Sequence, residues 1–96
     1  MEVLVVYDVA TATKAGERRL RRVAEVCEAY GQRVQKSVFE CLLNGAQFEQ
    51  LKYDLLEEID ERVDSLRIYR LREPFARHTF LAGLQPFYDL RGPLIV

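Results

Sequence analysis

Apolar and polar side chains follow one another along the 96-residue chain with periods that change from segment to segment. Val3-Leu4-Val5-Val6-Tyr7 is a largely β-branched run, closed by Asp8 and too short for a helix before the polar Thr11-Ala12-Thr13 stretch. It predicts a strand buried on both faces, with Asp8 at its C-terminal end. Leu20, Val23, Ala24, Cys27 and Gly31 then recur at i, i+3, i+4 spacing, while Arg18, Arg21, Arg22 and Glu25 take the opposite side and Arg19 the flank. That spacing predicts an amphipathic helix. Gly31 after Tyr30 predicts its stop, through the left-handed conformation glycine adopts without steric cost.

Residues 33–43, with Val34, Val38, Phe39 and Leu42, predict a second strand whose alternation is imperfect, as where one face is covered and the other meets a partner. Asn44 and Gln47 form a capping-box pair. The helix they open carries Phe48, Leu51, Leu55, Leu56 and Ile59 on one stripe and Glu49, Glu57, Glu58 and Glu61 mostly outside it. Ser65-Leu66-Arg67-Ile68-Tyr69-Arg70-Leu71 alternates cleanly and predicts a third strand, after a short turn around Asp64. Past Pro74 the signal weakens, and the short apolar stretches at 79–83 and 93–96 are each a candidate edge strand.

Two helices and three to five short strands fit an α+β, ferredoxin-like βαββαβ sandwich with both helices on one sheet face better than a doubly wound parallel sheet. Residues 1–96 read as a single domain. The other sheet face then lacks cover that the segment after Pro74 is too small to give, so a homodimer packed through the sheets follows. Residues 74–96 form a tail, and Leu94-Ile95-Val96 is its candidate for exchange onto the partner chain's sheet.

Composition narrows the class. Five Gly and three Pro are too few for a disordered or collagen-like chain. Cys27 and Cys41, 14 positions apart, match neither a zinc spacing nor a CxxC pair and read as buried, reduced thiols. No stretch approaches the roughly 18 consecutive apolar residues of a membrane span, and the N-terminus lacks a basic region, so a cytoplasmic protein with no membrane partner is expected.

The net charge of −1 hides segments of opposite sign. Between Lys14 and Lys36 lie seven basic residues against Glu17, Glu25 and Glu28; between Glu40 and Asp64, eight acidic residues face only Lys52 and Arg62. Four arginines against Glu73 follow between Arg67 and Arg77. Eleven of the fourteen basic residues are arginine, whose planar fork suits phosphate, although a solvated surface with local ion pairs accounts for the same pattern.

His78, the sole histidine, has no local Ser or Cys partner, which leaves a catalytic triad or zinc site without support. Phosphate-loop and dinucleotide-binding glycine motifs are absent, as is an aromatic RNA-binding signature on a strand. Asp8 differs, because a carboxylate at the exit of a buried strand sits where ligands collect in open sheets. The alternative is a helix cap or a ligand of loop amides. Mg2+ takes one or two carboxylates plus waters and phosphate oxygens, and residues 9–16 offer no second acid. A twofold dimer supplies one by bringing Asp8 toward its counterpart, and two such carboxylates beside basic helices suit phosphodiester hydrolysis.

Tyr7-Asp8-Val9, Arg18-Arg19-Leu20-Arg21-Arg22-Val23-Ala24, the stretch Tyr30-Gly31-Gln32-Arg33-Val34-Gln35-Lys36-Ser37-Val38-Phe39-Glu40-Cys41 and Arg67-Ile68-Tyr69-Arg70-Leu71 follow in unbroken order. Together they resemble the small CRISPR-associated endoribonuclease family, the smaller of the two universal spacer-acquisition proteins. The resemblance implies a ferredoxin-like homodimer, Mg2+ or Mn2+ held at its interface by the aspartate ending the first strand, and cleavage of single-stranded RNA or, for some members, duplex DNA. It also implies a bridging role with the larger CRISPR integrase subunit, in a heterohexamer or heterotetramer that holds the DNA to be inserted.

On this sequence Asp8 matches the metal aspartate and Tyr7 its neighbour, Arg19 and Arg22 fall in the basic first helix, and Arg33, Ser37 and Phe39 fall in the second-strand motif. These seven are the candidate catalytic residues, and Arg18, Arg19, Arg21, Arg22 and Arg77 the candidates for nucleic-acid contact. Phe39 as core packing and Ser37 as an ordinary strand hydroxyl are the alternatives for those two. Thr11 and Thr13 stand where some members carry a further acid. A bridge that grips DNA without using Asp8, and a small-molecule regulatory domain of the same fold, are the competing functions.

Overall fold

The computed structural model describes residues 1–85. Its elements are β1 (Glu2–Asp8), α1 (Lys14–Tyr30), β2 (Gly31–Gln35), β3 (Val38–Leu42), α2 (Gly45–Glu58), β4 (Ser65–Leu71) and a 3-10 turn at Phe75–His78. The strands lie in the order β2-β3-β1-β4 with every neighbouring pair antiparallel. With both helices packed on one side, this is the ferredoxin-like sandwich expected from the sequence.

The core lies between that side of the sheet and the helices. Val3, Val5 and Tyr7 of β1 and Phe39 and Cys41 of β3 close it from below, while Val23 and Cys27 of α1 and Leu51 and Leu55 of α2 close it from above. Leu4 and Val6, the alternate positions, are only half-buried. The first strand is therefore not buried on both faces as its run of apolar residues predicted, because the helices cover one face only and the 3-10 turn reaches the other just at Glu2, whose carboxylate accepts from Phe75 N at 2.6 Å.

The caps follow from side-chain chemistry. Thr13 Oγ1 accepts from Gly16 N at 3.0 Å at the start of α1. Asn44 and Gln47 form the reciprocal capping box at the start of α2, with bonds of 2.8 and 2.9 Å. On α2 the predicted stripe holds at Leu51 and Leu55, with Phe48 and Ile59 packed beside them, but Leu56 is exposed because it lies on the flank turned from the sheet.

The segment 33–43, predicted as one strand, is a hairpin. Lys36 and Ser37 form its turn, and a bulge between Arg33 and Gln35 offsets the register. The turn lacks the Asn-Gly or Gly-containing chemistry that marks a hairpin in a sequence. It is held instead by β1, where Tyr7 N donates to Ser37 O at 3.1 Å and the Tyr7 hydroxyl reaches Lys36 O at 3.4 Å.

Gly31 does follow α1, but in an extended conformation (φ −163°) as the first residue of β2, not in the left-handed one expected. What requires glycine is proximity. A Cβ there would stand 2.3 Å from Glu40 O and 2.4 Å from Cys41 Sγ.

Both cysteines are buried free thiols, and burial pushes Cys27 up to about 12 and Cys41 up to about 11. No helix among the described residues is long and apolar enough to cross a membrane. The stretch 79–83 forms no strand; its Phe80 is 90% exposed, and Leu84, which follows it, 92%. The candidate edge strand at 93–96, with its proposed exchange between chains, lies outside the described residues.

Candidate functional site

Side chains alternate along a strand, so Tyr7 and Asp8 leave β1 on opposite sides. Tyr7 points under the helices. Asp8 is exposed on the uncovered face, opposite Ser65 in the ladder with β4. The register places Leu4, Val6, Val38, Leu42, Arg67, Tyr69 and Leu71 on that same face. Leu42 is 72% exposed there, and Arg67 Nη1 donates to the Tyr69 hydroxyl at 2.8 Å. Glu40, opposite Leu4, and Arg67, opposite Val6, stand among these apolar side chains, so the face is mixed in character, with Glu2 at one end and Asp8 at the other.

No described residue hydrogen-bonds or ion-pairs the Asp8 carboxylate. Its cap and loop-amide alternatives are filled by other residues, since Thr13 caps α1 and Asp64 takes the amide of the loop. Among the described residues no three His, Cys, Asp or Glu side chains gather into a cation cage. The donor set is therefore one free carboxylate per chain, which fits Mg2+ or Mn2+ completed by waters and phosphate oxygens, and does not fit a fully protein-enclosed ion.

The other candidate residues divide into three groups. Tyr7, Arg33 and Phe39 form a stack on the helix side, with Tyr7 and Phe39 ring centroids 6.2 Å apart and the Arg33 guanidinium 5.0 Å from the Phe39 centroid. Burial pushes the Tyr7 phenol up, against a hydrogen bond with Arg33 that pulls it down. Ser37 sits in the hairpin turn beside them, not in a strand. A groove of about 490 Å³ between this turn and α1 is bordered by Arg21, Arg33 and Lys36 and, in equal number, by Glu17, Glu25 and Glu28. The sheet separates all of this from Asp8, and Phe39, fully buried, is a core residue.

Arg18, Arg21 and Arg22 form the second group, exposed along the outside of α1 and ion-paired to no described residue. Arg77 is likewise exposed, on the 3-10 turn, next to an exposed His78.

Arg19 stands alone in the third. Its Nε donates to Asp64 Oδ2 at 2.8 Å, its side chain is only 19% exposed, and that of Asp64 is 0% exposed. Asp64 also accepts from Ala10 N at 3.0 Å and Asp60 N at 2.8 Å. Burial alone would raise the Asp64 carboxyl, but the Arg19 guanidinium and the Asp60 and Ala10 amides more than offset it and hold it below its ordinary value. In the sequence Asp64 is one turn residue among many acids, and no local pattern marks an aspartate whose partners lie 45 and 54 positions away.

The model of the family described as CRISPR associated protein Cas2 matches residues 1–77. The chain belongs to the Cas2 family. The CRISPR-associated endoribonuclease Cas2 1 of Moorella thermoacetica is 57% identical over 96 residues, all of both chains. The CRISPR-associated endonuclease Cas2 of Halalkalibacterium halodurans is 50% identical over 95 residues, 99% of each chain. Among solved structures, Streptococcus pyogenes Cas2, crystallised at pH 6.5, superposes with a TM-score of 0.79 at 51% identity, covering 86% of this chain and 100% of that one. A hypothetical protein from Thermus thermophilus gives 0.74 at 30% identity, covering 88% and 93%. The Cas2 fold thus accounts for the sandwich.

Proposed function

We propose that this Cas2 family member is a metal-dependent endonuclease that hydrolyses phosphodiester bonds in single-stranded RNA, duplex DNA or both. The observation that carries it is Asp8, an exposed carboxylate without a partner among the described residues, at the end of the sheet face turned away from the helices. The named activities of the endoribonuclease and endonuclease relatives support it. In this reading the chain works as a homodimer joined through the open faces, and Asp8 of each protomer holds Mg2+ or Mn2+. A divalent cation there supplies a Lewis acid that activates water and offsets charge building on the phosphate. Asp8 fixes the place of that charge, and Arg18, Arg21 and Arg22 hold the nucleic-acid backbone. Arg77 is the further candidate for backbone contact.

A second reading rests on the same three unpaired arginines, since a bridge that only grips DNA needs them and not Asp8. In it the dimer joins the larger CRISPR integrase subunit, in a heterohexamer or heterotetramer, and holds the DNA to be inserted.

Cleavage of labelled single-stranded RNA and duplex DNA by the parent and by Asp8→Ala, with Mg2+ and with EDTA, tests the nuclease. Loss of cutting in both the variant and EDTA, on protein that sediments as a dimer, is the expected result. Undiminished cutting by Asp8→Ala overturns Asp8 as the metal residue. Duplex binding by a parent that cuts nothing leaves the bridge as the function.

A further inference from the structure

We infer that Asp64, with Arg19, is a positioning residue that sets where the Asp8 carboxylate is presented. The inference rests on the reading of Asp8 as the metal-holding group.

Asp8 has no side-chain tie among the described residues, so its direction is set by its own backbone and by what holds that backbone. Upstream, β1 is fixed in the middle of the sheet. Downstream, the chain turns at once into the loop before α1, and Asp64 grips that loop. Its Oδ1 accepts from Ala10 N at 3.0 Å, two residues beyond Asp8. The carbonyl of the same residue accepts a long bond from Arg19 Nη2 at 3.5 Å and lies so close to α1 that a Cβ on Gly16 would stand 2.0 Å from it. Ala10 is therefore held at both its amide and its carbonyl, between Asp64 and the first turns of α1.

The grip is itself held by further hydrogen bonds. Asp64 Oδ2 accepts from Arg19 Nε and from Asp60 N, both at 2.8 Å, and Oδ1 takes a second bond from Arg19 Nη2 at 3.3 Å. The next residue, Ser65, is the cross-strand partner of Asp8. One buried carboxylate thus controls both the strand opposite Asp8 and the loop leaving it. Free carboxylates on a backbone displaced by about 1 Å lose much of their value as ligands, because a reacting geometry tolerates little misplacement. Arg19 is spent in this clamp through its Nε and Nη2, which separates it from the exposed arginines on the same helix.

The test uses the full chain, with Asp64→Asn and Arg19→Lys beside the parent and Asp8→Ala. Mn2+ uptake is read from the loss of the free-ion EPR signal, cleavage is measured across Mn2+ concentration, and thermal midpoints report folding. Weaker uptake in both clamp variants is expected, with half-saturating Mn2+ raised about tenfold, the low end of what orienting groups contribute to metal affinity. Cleavage at saturating Mn2+ should return to near the parent's. A clamp that serves folding alone lowers the thermal midpoint and leaves Mn2+ uptake unchanged, which overturns the inference. If Asp64→Asn does not fold, Arg19→Lys, which keeps the charge and the core, decides by the same readout. A parent that takes up no Mn2+, or an Asp8→Ala that takes up as much, instead overturns the assignment of Asp8 and the inference with it, and this shows before any clamp variant is compared.

Discussion

Tyr7 and Asp8, adjacent in β1, serve opposite sides of the sheet: the phenol is buried against Phe39, and the carboxylate is exposed on the open face. The Tyr7 hydroxyl is taken up by Lys36 O, at a long 3.4 Å, and by the Arg33 side chain, away from Asp8. Tyr7→Phe should therefore leave RNA or DNA cleavage within about twofold of the parent, whereas Tyr7→Ala should cost about 3–5 kcal/mol of stability from the cavity it opens. Urea unfolding beside cleavage rates separates the two effects. A large loss of cleavage in a stable Tyr7→Phe would assign the hydroxyl to the chemistry.

Gly31→Ala adds a single methyl group where Glu40 O and Cys41 Sγ stand 2.3 and 2.4 Å away. Backbone on one side cannot yield cheaply, so β2 must move away from β3. Overpacking of this kind costs about 1–3 kcal/mol, read as a lower urea midpoint. Gly45→Ala, where nothing lies near the added atom, is the control and should leave the midpoint nearly unchanged.

Stability should fall in acid partly through Asp64. Its carboxyl is held below its ordinary value in the folded protein, so the folded state binds its proton less readily than the unfolded chain, whose aspartates titrate near pH ~4. The clamp's contribution is then complete above that unfolded value and is lost as pH falls through the folded one. Asp64→Asn should be less stable than the parent by about 1–3 kcal/mol at pH 7, and the gap should close as the pH is lowered toward 2. Urea midpoints from pH 2 to 7 measure it, and a gap independent of pH would remove the ionised carboxylate from the account. Asp60, lowered to about 2 by its hydrogen bonds with Arg62, acts in the same direction but at the surface, where salt screens it.

Arg18, Arg21 and Arg22 carry exposed, unpaired charge, whereas Arg19 is turned into the clamp. Changing any of the three to Gln should weaken duplex DNA binding and reduce the slope of log affinity against log salt by about 0.9 for each phosphate contact removed. Arg19→Lys should leave that slope within about half a unit. Equal slopes for all four would place the nucleic acid on another surface.

Much of the fold is legible in the order of residues because local periods report which side of an element is covered. The i, i+3, i+4 spacing on α1, the Asn44–Gln47 box on α2 and the alternation of Ser65–Leu71 each needed only a few neighbouring residues. The hairpin at Lys36 and Ser37 was hidden for the converse reason, since its turn is held by Tyr7 from a different strand and carries no turn chemistry of its own.

The site divides in the same way. Asp8 at a strand exit and the arginines along α1 stand out in the sequence, because a charge closing an apolar run is a local feature. That Tyr7, Arg33 and Phe39 pack together away from Asp8, that Arg19 is bound to Asp64, and that Asp64 holds the loop after Asp8 were decided only by the tertiary structure. Strand alternation and contacts across 45 and 54 positions set those relationships, and neither register nor long-range pairing is written in any one segment of the chain.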